Sequence, residues 1–147
     1  MTHKEKALQI MAKTANCAQA VLGAFADELG LTEEQAMGVS FCFFSGMRKA
    51  DVCGAATGAL MVIGMKYGQK KAGDLVTRSN GARIQDDFLR RFAEANGSCL
   101  CRELLGVDIS IPEKAEYARN QGLFTEFCPQ KVASAVDILE QILSENS

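Results

Sequence analysis

The sequence lacks the residues on which several common kinds of functional site depend. It has no tryptophan, two prolines and one histidine among 147 residues. It also has no Cys-x-x-Cys pair, no c-type haem attachment motif and no glycine-rich phosphate loop. The single histidine, His3, lies near the N-terminus, so Cys–His catalysis is not expected. These absences argue against thioredoxin-type, zinc-ribbon, haem-binding and nucleotide-binding sites.

The signals of nucleic-acid binding and of membrane insertion are missing as well. The net charge is −2 and no basic run is interleaved with aromatic residues, so no nucleic-acid partner is predicted. No apolar run approaches the roughly 18 residues that a membrane span requires. The segment after Lys6 is too polar for a secretory signal. The sequence therefore predicts a cytoplasmic protein without a membrane span, in a compartment where structural disulfides are disfavoured.

What the sequence does contain is helical periodicity. Apolar residues make up 48% of the chain, enough for one globular domain over residues 1–147 with a real core. They recur every three or four positions, and no alternating strand pattern of useful length appears. We predict an all-α fold, a single compact helical bundle of about five main helices plus one or two short helices. The main helices are expected at about 4–29, 33–44, 52–67, 75–95 and from 129 onward, with short helices at 99–105 and 112–120.

The segment 51–64 is the most informative of these helices. Asp51 is predicted to be its N-cap, which places Cys53 at the second helical position. There the free amides and the helix dipole favour a thiolate, whereas burial of the thiol would raise its pKa. Gly54 and Gly58 leave one face almost without side chains, so another backbone or a cofactor is expected against it.

Three cysteines are predicted at the starts of separate helices. They are Cys53, Cys101 in the first turn of the helix at 99–105, and Cys128 at the N-cap before Pro129. Cys17 is predicted in the middle of the first helix, facing the interior. Helix starts that converge on one point would stabilise an anionic centre, either thiolates or a metal held by thiolates.

Four segments centred on these cysteines resemble the putative redox-active C-GCAxxG-C-C family. The segments are Asn16–Val21, Cys53–Met61, Cys101–Gly106 and Cys128–Pro129. The central motif here reads Cys-Gly-Ala-x-x-Gly where the family name has Gly-Cys-Ala-x-x-Gly. The resemblance covers about 7–143 and implies a small bacterial or archaeal protein, presumed redox-active because of four shared cysteines. Carried over to this chain, those are Cys17, Cys53, Cys101 and Cys128.

The other two cysteines, Cys42 and Cys99, have no counterpart in that pattern. Cys42 lies among Phe41, Phe43 and Phe44, which we expect to form the most aromatic part of the core. Cys42 is therefore interpreted as a buried and unreactive small residue.

Three functions are compatible with these residues. The first is an iron–sulfur or other metal centre for electron transfer, with Cys17, Cys53, Cys101 and Cys128 as its ligands. The second is a metal-free thiol–disulfide or persulfide redox protein, with Cys53 as nucleophile and Cys101 or Cys128 as resolving thiol. The third is a helical interaction or scaffold domain with structural cysteines. The sequence does not distinguish an enzyme from an electron carrier, and its many apolar positions are compatible with a homo-oligomer.

Overall fold

The backbone consists almost entirely of helices and the short turns that join them. A computed structural model describes all 147 residues and contains no β-sheet. The helices are α1 (His3–Thr14), α2 (Cys17–Phe25), α3 (Glu33–Ser40), α4 (Gly54–Tyr67), α5 (Leu75–Asn96), α6 (Cys101–Leu105), α7 (Pro112–Asn120) and α8 (Cys128–Glu145). The predicted all-α class is confirmed. As predicted, no helix combines the length and the apolar character needed to cross a membrane.

The core is built around α2, which packs against α1, α4 and α8. Every residue of α2 from Ala18 to Phe25 is buried. The long helix α5 closes the other side of α4 and α8, and it contributes Ile84, Phe88 and Phe92 to the core. Burial of each large apolar side chain contributes about 1.5–3 kcal/mol, so these contacts dominate the stability of the fold.

Several helix boundaries follow the predicted signals. Thr32 forms a capping box with Gln35 at the start of α3, and the Asp74 side chain accepts a hydrogen bond from the amide of Thr77 at the start of α5. Pro112 is the first residue of α7. These ends were predictable because a capping side chain is a local interaction that does not depend on tertiary packing.

The prediction of one continuous helix over residues 4–29 is wrong. Ala15 adopts a left-handed conformation with φ of 51°, and Asn16 caps a new helix by accepting a hydrogen bond from the Gln19 amide at 3.0 Å. Because α1 and α2 pack against each other, both contribute apolar residues to one core. The spacing of apolar residues every three or four positions therefore forms one apolar stripe that continues across the break. Cys17 is therefore the first residue of α2 and does not lie in mid-helix.

The predicted aromatic core around Cys42 is also wrong. Cys42 is exposed, Phe41 keeps 52% of its surface exposed, and Phe43 and Phe44 are only partly buried. The regular helix ends at Ser40, and a 3₁₀ turn then directs these side chains away from the core. The aromatic residues of the core are Phe25, Phe88 and Phe92.

The segment before α4 has an unusual backbone. Four consecutive residues, Ser45 to Arg48, have φ between 54° and 61°, and Ala50 has φ of 54°. A left-handed conformation costs about 1–2 kcal/mol for each non-glycine residue. Gly46 is required here because a Cβ at this position would lie 2.3 Å from the amide nitrogen of Asp51.

The two glycines at the start of α4 allow a close approach to α2. A Cβ at Gly54 would lie 3.2 Å from both the Ala18 amide nitrogen and the Cys17 Cβ. At Gly58 it would lie only 2.8 Å from the carbonyl oxygen of Ala18. The predicted contact between this small-residue face and another helix is confirmed.

We expect Gly58→Ala to destabilise the protein by about 1–3 kcal/mol, because the new methyl group would press on the α2 backbone. Gly64→Ala is the matched control in the same helix, since nothing lies within 4 Å of a Cβ there. It should stabilise the protein by about 0.5–1 kcal/mol through helix propensity. Urea unfolding of both variants measures the difference, and equal stability would contradict the close contact.

Candidate functional site

The starts of α4 and α6 are held together by a short backbone pairing, a single antiparallel bridge between extended segments. The amide of Cys53 donates to the carbonyl of Cys99 at 2.8 Å, and the amide of Cys101 donates to the carbonyl of Asp51 at 2.6 Å. Cys53 lies opposite Cys99 in this pairing, and Cys101 is its diagonal neighbour on the same face. The N-cap of α4 is Cys53, two residues after Asp51, and no side chain caps this helix, so the predicted N-cap role of Asp51 is wrong.

All four family cysteines lie at the start of a helix. Cys53 is the N-cap of α4, and Cys17, Cys101 and Cys128 are the first residues of α2, α6 and α8. Three of these helix starts were predicted, although each cysteine lies one or two positions from its predicted place. The fourth, at Cys17, was missed. Asn16 was the available signal, because asparagine is among the strongest N-cap residues.

The same four cysteines line one cavity of about 40 Å³. This volume is enough for one or a few water-sized groups. Apart from the thiols, the only polar side chains in its lining are Ser45 and Lys131. The rest of the wall is mainly apolar and includes Met11, Leu104, Leu105, Ile109, Phe124 and Phe127. The structure thus places four thiols around a small apolar space.

Cys17 and Cys128 form an interacting pair within this cavity. The interaction of the Cys17 thiol with Cys128 is the largest influence on both groups, raising the pKa of Cys17 well above its usual value and lowering that of Cys128. This pattern is that of a thiol sharing its proton with a neighbouring thiolate. The structure therefore indicates Cys128 as the activated sulfur of the pair.

The other two cavity cysteines are not activated. Burial raises the pKa of Cys53 to about 11 and that of Cys101 to about 12. The nearby amides of Ala55 and Ala56 lower the pKa of Cys53 without offsetting this burial. Burial therefore raises the pKa of the free Cys53 thiol more than the helix start lowers it.

Lys131 supplies the only basic side chain in the cavity wall. Its Nζ lies 4.6 Å from the centre of the Phe127 ring and donates to Oδ1 of Asn96 at 3.2 Å. The Asn96 amide in turn donates to Oγ of Ser134 at 2.9 Å, which fixes its orientation. The ammonium group lowers the pKa of Cys128. Lys131 was not predicted from the sequence, although its position three residues after Cys128 places both on one face of α8.

A protein-family model matches most of the chain. The family model described as "Putative redox-active protein (C_GCAxxG_C_C)" matches residues 15–142. The chain belongs to this family. The matched region contains all four cavity cysteines, and the resemblance inferred from the motifs is confirmed. Comparisons with curated proteins and with solved structures gave no match.

The donor set of the family cysteines has the chemistry of a metal site, but the arrangement is not that of one. Four thiolates are the usual ligands of structural zinc and of iron–sulfur clusters. No three side chains of Cys, His, Asp or Glu, however, are close enough together to hold one metal ion. The only histidine, His3, interacts with Glu28 and Glu140 and does not line the cavity.

We expect Lys131→Met to raise the pKa of Cys128, because the variant keeps the apolar stem and loses the charge beside the thiolate. The pH dependence of Cys128 alkylation, resolved by peptide mass spectrometry, should shift to higher pH. Lys70→Met, which removes an exposed lysine between α4 and α5, is the matched control. An unchanged profile for Lys131→Met would show that Lys131 does not activate Cys128.

Proposed function

We propose that Cys17 and Cys128 form a redox-active dithiol that is oxidised to a disulfide by an oxidant containing a sulfur–sulfur bond. The observation that carries this proposal is the pairing of a thiol with an activated sulfur at the starts of two packed helices. The family to which the chain belongs supports redox activity in general. The assignment of this particular pair is the proposal.

Cys128 acts as the nucleophile. Its thiolate attacks one sulfur of the oxidant, forms a mixed disulfide, and releases the other sulfur as a thiolate. Cys17 then attacks the Cys128 sulfur, and its proton passes to the second leaving group. The Cys128 thiolate and the Cys17 thiol together lose two electrons and one proton, and the oxidant leaves as one thiolate and one thiol.

This assignment differs from the order of roles expected from sequence. There Cys53 was the nucleophile of the thiol mechanism, with Cys101 or Cys128 as its resolving partner. In the proposal Cys53 and Cys101 stay protonated near neutral pH, since burial raises the pKa of each thiol. They form neutral walls of the cavity beside the reacting pair. A dithiol of this kind requires a reducing compartment to be regenerated, which fits the predicted cytoplasmic location.

Mild oxidation with diamide should join Cys17 to Cys128, and peptide mapping under non-reducing conditions identifies the link. Cys17→Ser and Cys128→Ser should each lose this disulfide. Cys42→Ser is the matched control because Cys42 is exposed and lies outside the cavity. If the dominant disulfide joins other cysteines, the proposed pair is wrong. If no cavity thiol reacts, the cysteines are structural, as in a scaffold domain.

A second candidate function is a metal centre for electron transfer, with Cys17, Cys53, Cys101 and Cys128 holding an iron–sulfur cluster or another metal. The observation that favours it is that four helix starts surround one cavity. The free amides at these helix starts would stabilise an anionic centre. A bound cluster would supply one-electron redox chemistry. The four sulfur atoms would first have to move closer together.

Protein purified without oxygen distinguishes the two candidates through its absorption spectrum and its content of iron, zinc and sulfide. For the dithiol we expect full formation of the Cys17–Cys128 disulfide in protein treated with a chelator, because the reaction needs no metal. The metal centre predicts tightly held metal that is lost in each of the four Cys→Ser variants and kept in Cys99→Ser. Metal binding of this pattern would show that the protein holds a metal centre and that the proposed dithiol function is wrong.

A further inference from the structure

The size of the cavity restricts what can react inside it. Its volume of about 40 Å³ leaves room beside the sulfur atoms for one or a few atoms the size of a water molecule. Cys53 and Cys101 are buried, and Cys17 and Cys128 are only partly exposed. An oxidant can therefore place a small terminal group within the cavity, while any larger part of the molecule must remain outside.

The chemistry of the wall restricts that terminal group further. Besides the thiols, Ser45 and Lys131 are the only polar side chains in the lining. The other side chains are apolar and favour a soft, polarisable atom. Sulfur has this property, and aromatic rings such as those of Phe124 and Phe127 make favourable contacts with it.

We propose that the cavity takes a single sulfane sulfur, the terminal sulfur of a small persulfide RS–SH. This proposal rests on the proposed dithiol and names the class of oxidant that the dithiol reduces. The juxtaposition that carries it is the placement of Cys17 and Cys128, at the starts of two packed helices, in the wall of one small and mainly apolar cavity.

The reaction is balanced without another reactant. The Cys128 thiolate attacks the terminal sulfur of RS–SH, forms Cys128–S–SH, and releases RS⁻, which takes a proton from solvent. Cys17 then attacks Sγ of Cys128, so the bond to the terminal sulfur breaks and that sulfur leaves with the Cys17 proton as hydrogen sulfide. The products are RSH, hydrogen sulfide and the Cys17–Cys128 disulfide, and the two protein thiols have supplied two electrons to the sulfane sulfur.

The remaining polar groups of the cavity suit the departing sulfur. The Lys131 ammonium, held by Asn96 and the Phe127 ring, places a positive charge in the wall where an anionic sulfur would form. The neutral thiols of Cys53 and Cys101 are weak hydrogen-bond donors and add no negative charge. A bulky disulfide cannot use these contacts, because both of its sulfur atoms carry carbon substituents.

The test uses the full-length reduced protein with three oxidants at equal concentration, glutathione persulfide, oxidised glutathione and insulin disulfides. Glutathione persulfide should oxidise the Cys17–Cys128 pair at least about tenfold faster than either disulfide, the order of selectivity that a shaped pocket provides. It should also release hydrogen sulfide. In Cys17→Ser the added sulfur should remain on Cys128 as a gain of about 32 Da, and Cys42→Ser should behave as the unmodified protein.

The outcomes separate this proposal from the function on which it rests. If the Cys17–Cys128 disulfide forms equally fast with all three oxidants, the substrate class is wrong and the dithiol stands. The same holds if hydrogen sulfide is absent from the unmodified protein, a measurement that does not depend on the folding of any variant. If neither diamide nor any of the three oxidants forms this disulfide, the dithiol itself is wrong.

Discussion

The close contact between α2 and α4 is the constraint on which the site depends. Gly54 and Gly58 bring the backbone of α4 against Ala18, so the first residues of both helices lie together. Cys17 and the N-cap Cys53 reach the same cavity for this reason. A side chain at either glycine would separate the helices and widen the space between the thiols. The two glycines cost α4 about 1 kcal/mol each in helix propensity relative to alanine.

The electrostatics of the cavity make one thiol different from the other three. All four sulfurs are at helix starts, so the helix dipole alone would activate each of them. Burial acts against this, and it outweighs the helix start at Cys53 and Cys101. Cys128 has a proton donor in Cys17 and, three residues along α8, the ammonium group of Lys131. Its difference from Cys53 and Cys101 therefore comes first from Cys17, a residue of another helix.

One wall of the cavity is formed by backbone in an unfavourable conformation. The left-handed residues from Ser45 to Arg48 include Ser45 and Gly46, which line the cavity. Such strain persists only where surrounding contacts determine the conformation. Here the chain that follows is fixed by its pairing with the segment before α6, and the Arg102 guanidinium donates to the carbonyl of Ala50 at 3.3 Å. The rigid wall keeps the volume beside the thiols small.

The sequence by itself determined the helical class, the caps at Thr32 and Asp74, and the identity of the four family cysteines. These features depend on periodicity, on local side-chain to backbone bonds and on motif spacing, all of which can be read from neighbouring residues. Only the tertiary structure decided that α1 and α2 are separate helices, because the apolar stripe is the same whether or not the backbone breaks. It also decided that Asp51 lies before α4 and not at its N-cap, since the Asp51 carbonyl accepts a hydrogen bond from the amide of Cys101, far along the chain. Lys131 could have been found from its spacing, three residues after Cys128 on one face of α8. The pairing of Cys17 with Cys128 depends on helices that meet only in the folded protein, so no local pattern contained it.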